Sequence, residues 1–311
     1  MPVKHFLSLA DIGPDNLAGL IDDSLAFAVS RAGNPGPLAG KVVGIYFKGT
    51  STRTRTAFTV GAIHLGASTV SYGPNDLQIV TGETVQDTAR VLSNFLDALV
   101  IRTNGTIEEM KTLALQDKMA VINAMSENEH PSQAIADLTT IREAFGQLHG
   151  LHVLYLGEGN NTAAALAIAV AMTRGLRLTL VTPEGYGLSH NVIELANDFA
   201  RSSGAVVEQH HRMDKLPTNV DAVYTTRWQT MGVPKPDPNW KESFRPFSVT
   251  PEIMARVSKP SGTIFLHDLP AVRGDDVADE VLDGPQSLAF RQAAHKLTSA
   301  MAILQWCLSK S

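Results

Sequence analysis

Nine consecutive residues, Phe47-Lys48-Gly49-Thr50-Ser51-Thr52-Arg53-Thr54-Arg55, place three hydroxyls on Ser51, Thr52 and Thr54 around Arg53 and ahead of Arg55. The apolar run Val42–Tyr46 before them reads as a buried strand, and the apolar-periodic run Ala57–Leu65 after them reads as a helix. Hydroxyls and guanidiniums therefore sit where a strand ends and a helix begins. A helix N-terminus presents unpaired N–H groups and a partial positive charge. With hydroxyls and arginines added, it becomes a corner for an oxyanion, and the ligand expected there is a phosphate or a close analogue. Helix capping would account for one hydroxyl only.

Other residues ask for a similar explanation. Arg102 ends the strand-like run Ala98–Ile101, and His130 precedes Pro131, which fits a helix start with Ser132 and Gln133 in its first turn. A His–Pro pair alone reads as structural. Three groups that are or can become cationic, Arg53, Arg102 and His130, each follow an expected strand, and ligands of open α/β sheets bind outside the carboxyl ends of strands. Asp87 and Arg90 read as a local helix ion pair. In the second half, Gly157-Glu158-Gly159-Asn160-Asn161 follows a strand, but Thr162 replaces the third glycine of a dinucleotide fingerprint and no acidic residue closes the next strand. Arg227 could be a surface residue or a bidentate fork for a carboxylate. Asp268 could anchor an ammonium or accept a proton from an amine.

The elements that must hold these residues alternate. Strand-like runs are Val42–Tyr46, Ser68–Tyr72, Ala98–Ile101 and Met119–Asn123. Helix-like runs are Asp15–Ala32, Ala57–Leu65, Thr84–Asn94 and Ile107–Gln116. A second strand series runs through Leu151–Leu156, Arg177–Val181, Val206–Gln209, Ala222–Thr225 and Thr263–Leu266. Between the series, Ser132–Phe145 reads as a linking helix, and Gln286–Leu308 is helical in pattern. Such alternation predicts α/β architecture with two doubly wound parallel-sheet domains joined by interdomain helices. The expected boundaries are residues 1–131, a linking helix over 132–148, a second domain over 149–285 and a C-terminal helix over 286–311.

Length and composition agree. The chain has 311 residues, enough for two ordinary domains. A formal net charge of -5 leaves no basic patch, so nucleic acid is not an expected partner. The single cysteine, Cys307, permits no internal disulfide and fits a reducing cytoplasm. The first residues show no long apolar stretch of a signal peptide. Thr162–Met172 is Ala-rich and apolar, too short to span a bilayer, and reads as a buried helix.

The run Ser-Thr-Arg-Thr-Arg at 51–55 resembles the carbamoyl phosphate signature of the aspartate and ornithine carbamoyltransferases. His130-Pro131-Ser132-Gln133 resembles that family's His-Pro-x-Gln, and the loop containing Gln78 resembles the one that reaches a neighbouring subunit. Gly157–Asn161 resembles the acceptor-domain turn of the ornithine enzymes, whose second asparagine maps to Asn161. Trp228 with Met231-Gly232 resembles their Asp-x-Trp-x-Ser-Met-Gly loop, with Thr226 and Thr230 in place of the aspartate and serine. Thr226-Arg227-x-Gln229 also resembles the Thr-Arg-x-Gln of the aspartate enzymes. His267-Asp268-Leu269-Pro270 stands where ornithine enzymes carry His-Cys-Leu-Pro and aspartate enzymes His-Pro-Leu-Pro. The resemblance spans nearly the whole chain, in the family's order.

This resemblance implies a carbamoyltransferase without metal or organic cofactor, a homotrimer or multiple of trimers, in the cytoplasm, away from membranes. It implies that Ser51, Thr52, Arg53 and Thr54 hold phosphate. Thr54, Arg102 and His130 would donate to the carbonyl oxygen, Gln133 would bind the carbamoyl amino group, and Gln78 would complete a neighbour's site. The acceptor residues would be Asn161, Thr226, Arg227, Gln229, Thr230, Met231, His267, Asp268 and Leu269. Arg273 is a weaker candidate, and Lys296 falls where the family carries a late arginine. Arg227 and Gln229 favour a carboxylate on the acceptor and Asp268 a second amine, so the acceptor expected is a short diamino acid such as 2,3-diaminopropionate. The alternatives are ornithine, giving citrulline, and a non-catalytic relative that binds carbamoyl phosphate. A nicotinamide-dependent oxidoreductase is disfavoured by Thr162.

Overall fold

The structure, a computed structural model, describes residues 3–30, 36–229 and 234–309. The chain forms two compact units, Met1–Thr139 with Ala294–Ser311, and Thr140–Ala293.

The first unit follows the order α1 (Leu9–Val29), β1 (Val42–Phe47), α2 (Arg53–His64), β2 (Ser68–Tyr72), α3 (Val85–Leu92), β3 (Ala98–Arg102), α4 (Glu108–Leu113) and β4 (Ala120–Met125). It also takes the start of α5 (Pro131–Phe145). Its strands pair in parallel in the order β2-β1-β3-β4. β3 and β4 are buried at every position, which is why they read as unbroken apolar runs. The layer over them includes Leu92, Leu96, Met110 and Leu113, all buried with Leu99, Ile101 and Val121.

The bounds of α2 and α1 differ from the sequence expectation for physical reasons. α2 begins at Arg53, four residues before the apolar period starts at Ala57, because Arg53, Thr54 and Arg55 extend the helix without adding to its apolar face. α1 begins at Leu9 instead of Asp15; Gly13, with φ of +79°, and Pro14 break it, so the expected start is the second of two helical segments. The expected continuation to Ala32 fails at Ser30, which is already extended, and residues 31–35 lie outside those described.

The second unit continues with β5 (His152–Leu156), α6 (Asn161–Met172), β6 (Arg177–Val181), α7 (His190–Ser203), β7 (Val206–His210) and β8 (Ala222–Thr225). Then come α8 (Trp240–Phe244), α9 (Pro251–Val257), β9 (Ile264–His267), α10 (Asp279–Leu282) and the start of α11 (Ala289–Leu308). Its five strands are parallel, in the order β7-β6-β5-β8-β9. Every residue of α6 is buried, as the Ala-rich run predicts. α7, absent from the sequence reading, is a surface helix in which only Ala196 is fully buried. The core gathers Leu154, Leu156, Val223, Phe247, Val257 and Phe265. Among the described residues no helix is long and apolar enough to cross a membrane.

Both sheets are doubly wound, and each has one point where chain order reverses. In the first it lies between β1 and β3, in the second between β5 and β8. Such reversals open a crevice at the carboxyl ends of the strands. The segments leaving those ends are Lys48–Thr52 and Thr103 onward in the first unit, and Gly157–Asn160 and Thr226 onward in the second.

Candidate active site

In the first unit, Thr52 is the N-cap of α2 but sits in helical conformation and makes no side-chain capping bond. The first-turn N–H groups are thus left without a capping side chain. Thr54 is buried, Arg53 and Ser51 are half-buried, and Thr52 is exposed.

β3 and β4 keep even register to Ile101↔Asn123, then skip Ala124 so that Arg102 pairs Met125. The slip falls at the carboxyl end of β3, where Arg102 is buried and still paired with Phe47 on its other side. His130 is buried at the start of α5, with Ser132 Oγ 3.3 Å from its Nδ1. Burial, then the charges of Lys296 and Arg102, hold His130 well below the usual histidine range. At neutral pH it is therefore an uncharged imidazole with one N–H to donate. Gln133 is buried; its Nε2 donates to Asp137 Oδ1 at 2.6 Å and its Oε1 accepts from Lys296 Nζ. Beside His130, buried Glu129 accepts from Leu9 N–H at 2.9 Å, and burial pushes its carboxyl up to about 7.

Gln78 stands apart from this cluster. It opens a short 3-10 turn, Gln78–Thr81, on an exposed loop, where Thr81 Oγ1 donates to its Oε1 at 2.7 Å. Asp87 and Arg90 form the expected local pair on α3, at 3.6 Å.

In the second unit, the glycines of 157–161 serve the backbone. Gly157 has φ of +123°, and a Cβ on Gly159 would collide with the backbone of Gly187 and Leu188. Asn160 is spent as the N-cap of α6, accepting from Thr162 N–H at 3.0 Å and Ala163 N–H at 3.2 Å. Asn161, the next residue, is buried at the first helical position. Glu158 pairs with Lys235, whose ammonium lies 4.7 Å from the centre of Tyr186, 5.0 Å from Phe244 and 5.3 Å from Trp240. Burial raises the Glu158 carboxyl, with Lys235 pulling it back. The sequence reading missed this pair because its members lie in different loops.

Asp268 is the centre of the second cluster. Thr226 Oγ1 donates to its Oδ1 at 2.9 Å and Thr162 Oγ1 to its Oδ2 at 3.0 Å. The side chain is 14% exposed, and no lysine or arginine among the described residues pairs with it. Thr162, read in the sequence only as a missing glycine, turns out to orient this carboxylate. Arg227, next to Thr226, is half-buried and makes no hydrogen bond or ion pair with any described residue. Gln229 is half-buried, and Thr230 and Met231 lie outside the described residues.

His267 and Arg273 make internal contacts. His267 is fully buried; its Nδ1 accepts from Leu269 N–H at 2.8 Å, so Nε2 carries the proton that faces Asp276 Oδ2 at 2.7 Å. Asp276 also accepts from Val272 N–H. His267 thereby shapes the loop that presents Asp268, with both ring nitrogens engaged inside the second unit. Leu269 in that loop has φ of +54°, a left-handed conformation costing roughly 1–2 kcal/mol in a non-glycine residue. Arg273 is held by Asp279 at 2.7 Å and Asp283 at 2.7 Å on the surface. Among the described residues no cluster of three or more histidine, cysteine or acidic side chains could hold a metal ion.

The two halves match two family models: the aspartate/ornithine carbamoyltransferase carbamoyl-P binding domain over residues 4–143, and the Asp/Orn binding domain over residues 149–307. The chain is 38% identical to the ornithine carbamoyltransferase of Caldicellulosiruptor saccharolyticus, covering 99% of this chain and 100% of that protein. It is 36% identical to that of Oceanobacillus iheyensis, covering 97% and 93%. The solved ornithine carbamoyltransferase of Pyrococcus furiosus superposes with a TM-score of 0.92 at 34% identity, covering 100% of this chain and 98% of that one. With both halves matched by the family's two domain models and full-length likeness to such enzymes, the chain belongs to the aspartate/ornithine carbamoyltransferase family and is a carbamoyltransferase.

Proposed function

We propose that the protein transfers the carbamoyl group of carbamoyl phosphate to the side-chain amine of a diamino acid. The amine nitrogen attacks the carbonyl carbon, a C–N bond forms, the C–O bond to phosphate breaks, and the nitrogen loses a proton. Ser51, Thr52, Arg53 and Thr54 hold the phosphate and offset charge growing on the leaving group. Thr54, Arg102 and the N–H of uncharged His130 donate to the carbonyl oxygen as it becomes an oxyanion. Removing one such donor costs roughly 3–4 kcal/mol of barrier. Gln133 binds the carbamoyl amino group. We infer a homotrimer or multiple of trimers in the cytoplasm, with Gln78 on its exposed loop reaching a neighbouring subunit.

The observation that carries the acceptor reading is Asp268, a carboxylate oriented by Thr162 and Thr226 with no lysine or arginine paired to it among the described residues. It suits an ammonium and repels the side chain of aspartate. Arg227 suits the acceptor's α-carboxylate. The names of the relatives favour ornithine, with citrulline as product. A second reading, a shorter acceptor such as 2,3-diaminopropionate, is favoured by Thr226. The ornithine enzymes carry an aspartate there, whereas here the carboxylate comes from the neighbouring strand's loop and is bonded to Thr226. Phosphate release from carbamoyl phosphate with ornithine, 2,3-diaminopropionate and aspartate tests this. Both diamino acids should exceed aspartate, and preference for aspartate would overturn the reading. The ratio between the two diamino acids decides the chain length.

A further inference from the structure

Lys296 falls where the resembling family carries a late arginine, and in the first unit its Nζ reaches a glutamine side chain. It is buried on α11 and donates to Gln133 Oε1. Gln133 lies one helical turn before Asp137 on α5 and donates from Nε2 to Asp137 Oδ1 at 2.6 Å. An ammonium can only donate and a carboxylate only accept. Flipping the Gln133 amide would turn its NH2 toward an ammonium and its carbonyl toward a carboxylate, breaking both bonds together. The flanking charges therefore fix which end of the amide faces which way, in a buried site where an unmade bond is expensive.

We propose that Lys296 is a positioning residue that acts through Gln133: with Asp137, it locks the Gln133 amide in the one orientation that leaves a carbonyl lone pair for the carbamoyl amino group. This rests on the assignment of Gln133 to carbamoyl phosphate. The same ammonium is one of the charges that keep His130 unprotonated, so loss of Lys296 also loosens the hold on that ring.

A double-mutant cycle tests this, using whichever acceptor gives the best wild-type turnover. Lys296→Met should lower kcat 10- to 100-fold in the wild-type background and at most two- to threefold in a Gln133→Ala background, because the group it positions is already gone. KM for the acceptor should stay within about twofold in both. Lys296→Arg, which keeps a donor, should recover part of the loss, and Lys296→Met should shift the acidic limb of the pH–rate profile upward. Equal factors in the two backgrounds, or a raised KM for carbamoyl phosphate in both, would mean that Lys296 touches the substrate itself and would overturn the proposal. Should Lys296→Met fail to fold, Asp137→Asn supplies the same cycle from the other end of the amide. A Gln133→Ala variant with unimpaired kcat would instead sink the role of Gln133 and leave the family assignment standing.

Discussion

Glu129→Gln should change how stability depends on pH, by an amount the structure lets us work out. The Glu129 carboxyl is buried, and burial pushes it up to about 7 from 4.5; hydrogen bonds from Ser8 and from Leu9 N–H offset part of that push. The folded chain therefore binds this proton more tightly than the unfolded chain. The stabilisation is fully present below about 4.5 and is lost as pH rises through about 7. At about 1.4 kcal/mol per pH unit, the gap corresponds to about 3 kcal/mol. Histidines with lowered values, His5, His130, His152 and His210, act in the opposite sense, so the wild-type curve alone is mixed. The difference between wild type and variant isolates Glu129, because glutamine keeps an acceptor for Leu9 N–H without a titrating group. Urea denaturation of both proteins at pH 5 and pH 8 should show the variant gaining roughly 2–3 kcal/mol on the wild type across that interval. Parallel curves, or a gain by the wild type as pH rises, would refute the reasoning.

Arg53→Ala should reduce kcat/KM by at least a thousandfold while circular dichroism stays unchanged; near-normal turnover would remove the phosphate corner from the mechanism. Asp268→Asn should raise KM for a diamino acid about ten- to a hundredfold, the loss expected for a charge-assisted contact, and leave KM for carbamoyl phosphate nearly unchanged. A kinetically silent variant would mean the ammonium binds elsewhere. Mixing inactive Gln78→Ala with inactive Arg53→Ala subunits should restore part of the activity after exchange, since one kind of site then holds both intact residues. A fully active monomer in sedimentation would contradict that assembly.

What could be read from the sequence was whatever lay contiguous along the chain. Ser51–Arg55 could be read as one group at a strand-to-helix junction because its members are neighbours in sequence and the strand and helix around them are short-range patterns. The start of α2 was misread because polar residues that extend a helix add nothing to its apolar period. α7 was overlooked because it lies on the surface with only Ala196 fully buried. The partners of Asp268 were out of reach for another reason: Thr162 lies 106 positions away and Thr226 lies 42 away. Those contacts exist only because β5, β8 and β9 end side by side in one sheet. The same holds for Lys296 and Gln133, 163 positions apart. The bonds of His267 to Asp276 and to Leu269 N–H were not legible either, because a sequence does not tell a histidine that shapes a loop from one that faces solvent.

The first unit is assembled from two stretches of chain that are far apart in the order of synthesis. Residues from α11 close it: Thr298 bonds Ser24 at 2.8 Å, Trp306 Nε1 donates to Asn16 at 3.1 Å, and the Trp306 ring meets Phe6 with centroids 6.5 Å apart. None of these partners exists until residues 140–293 have been made. At about 5–20 residues per second, the nascent first unit waits about ten to thirty seconds for its last helix. During that wait Phe6, buried in the finished fold against Trp306, lacks its final cover. The second unit is one continuous stretch and faces no such delay. A ribosome that stops before residue 294 would therefore release an acceptor half able to form its own core, tethered to an unfinished half with Gln133 unheld, which makes the first unit the natural target for chaperones and proteases.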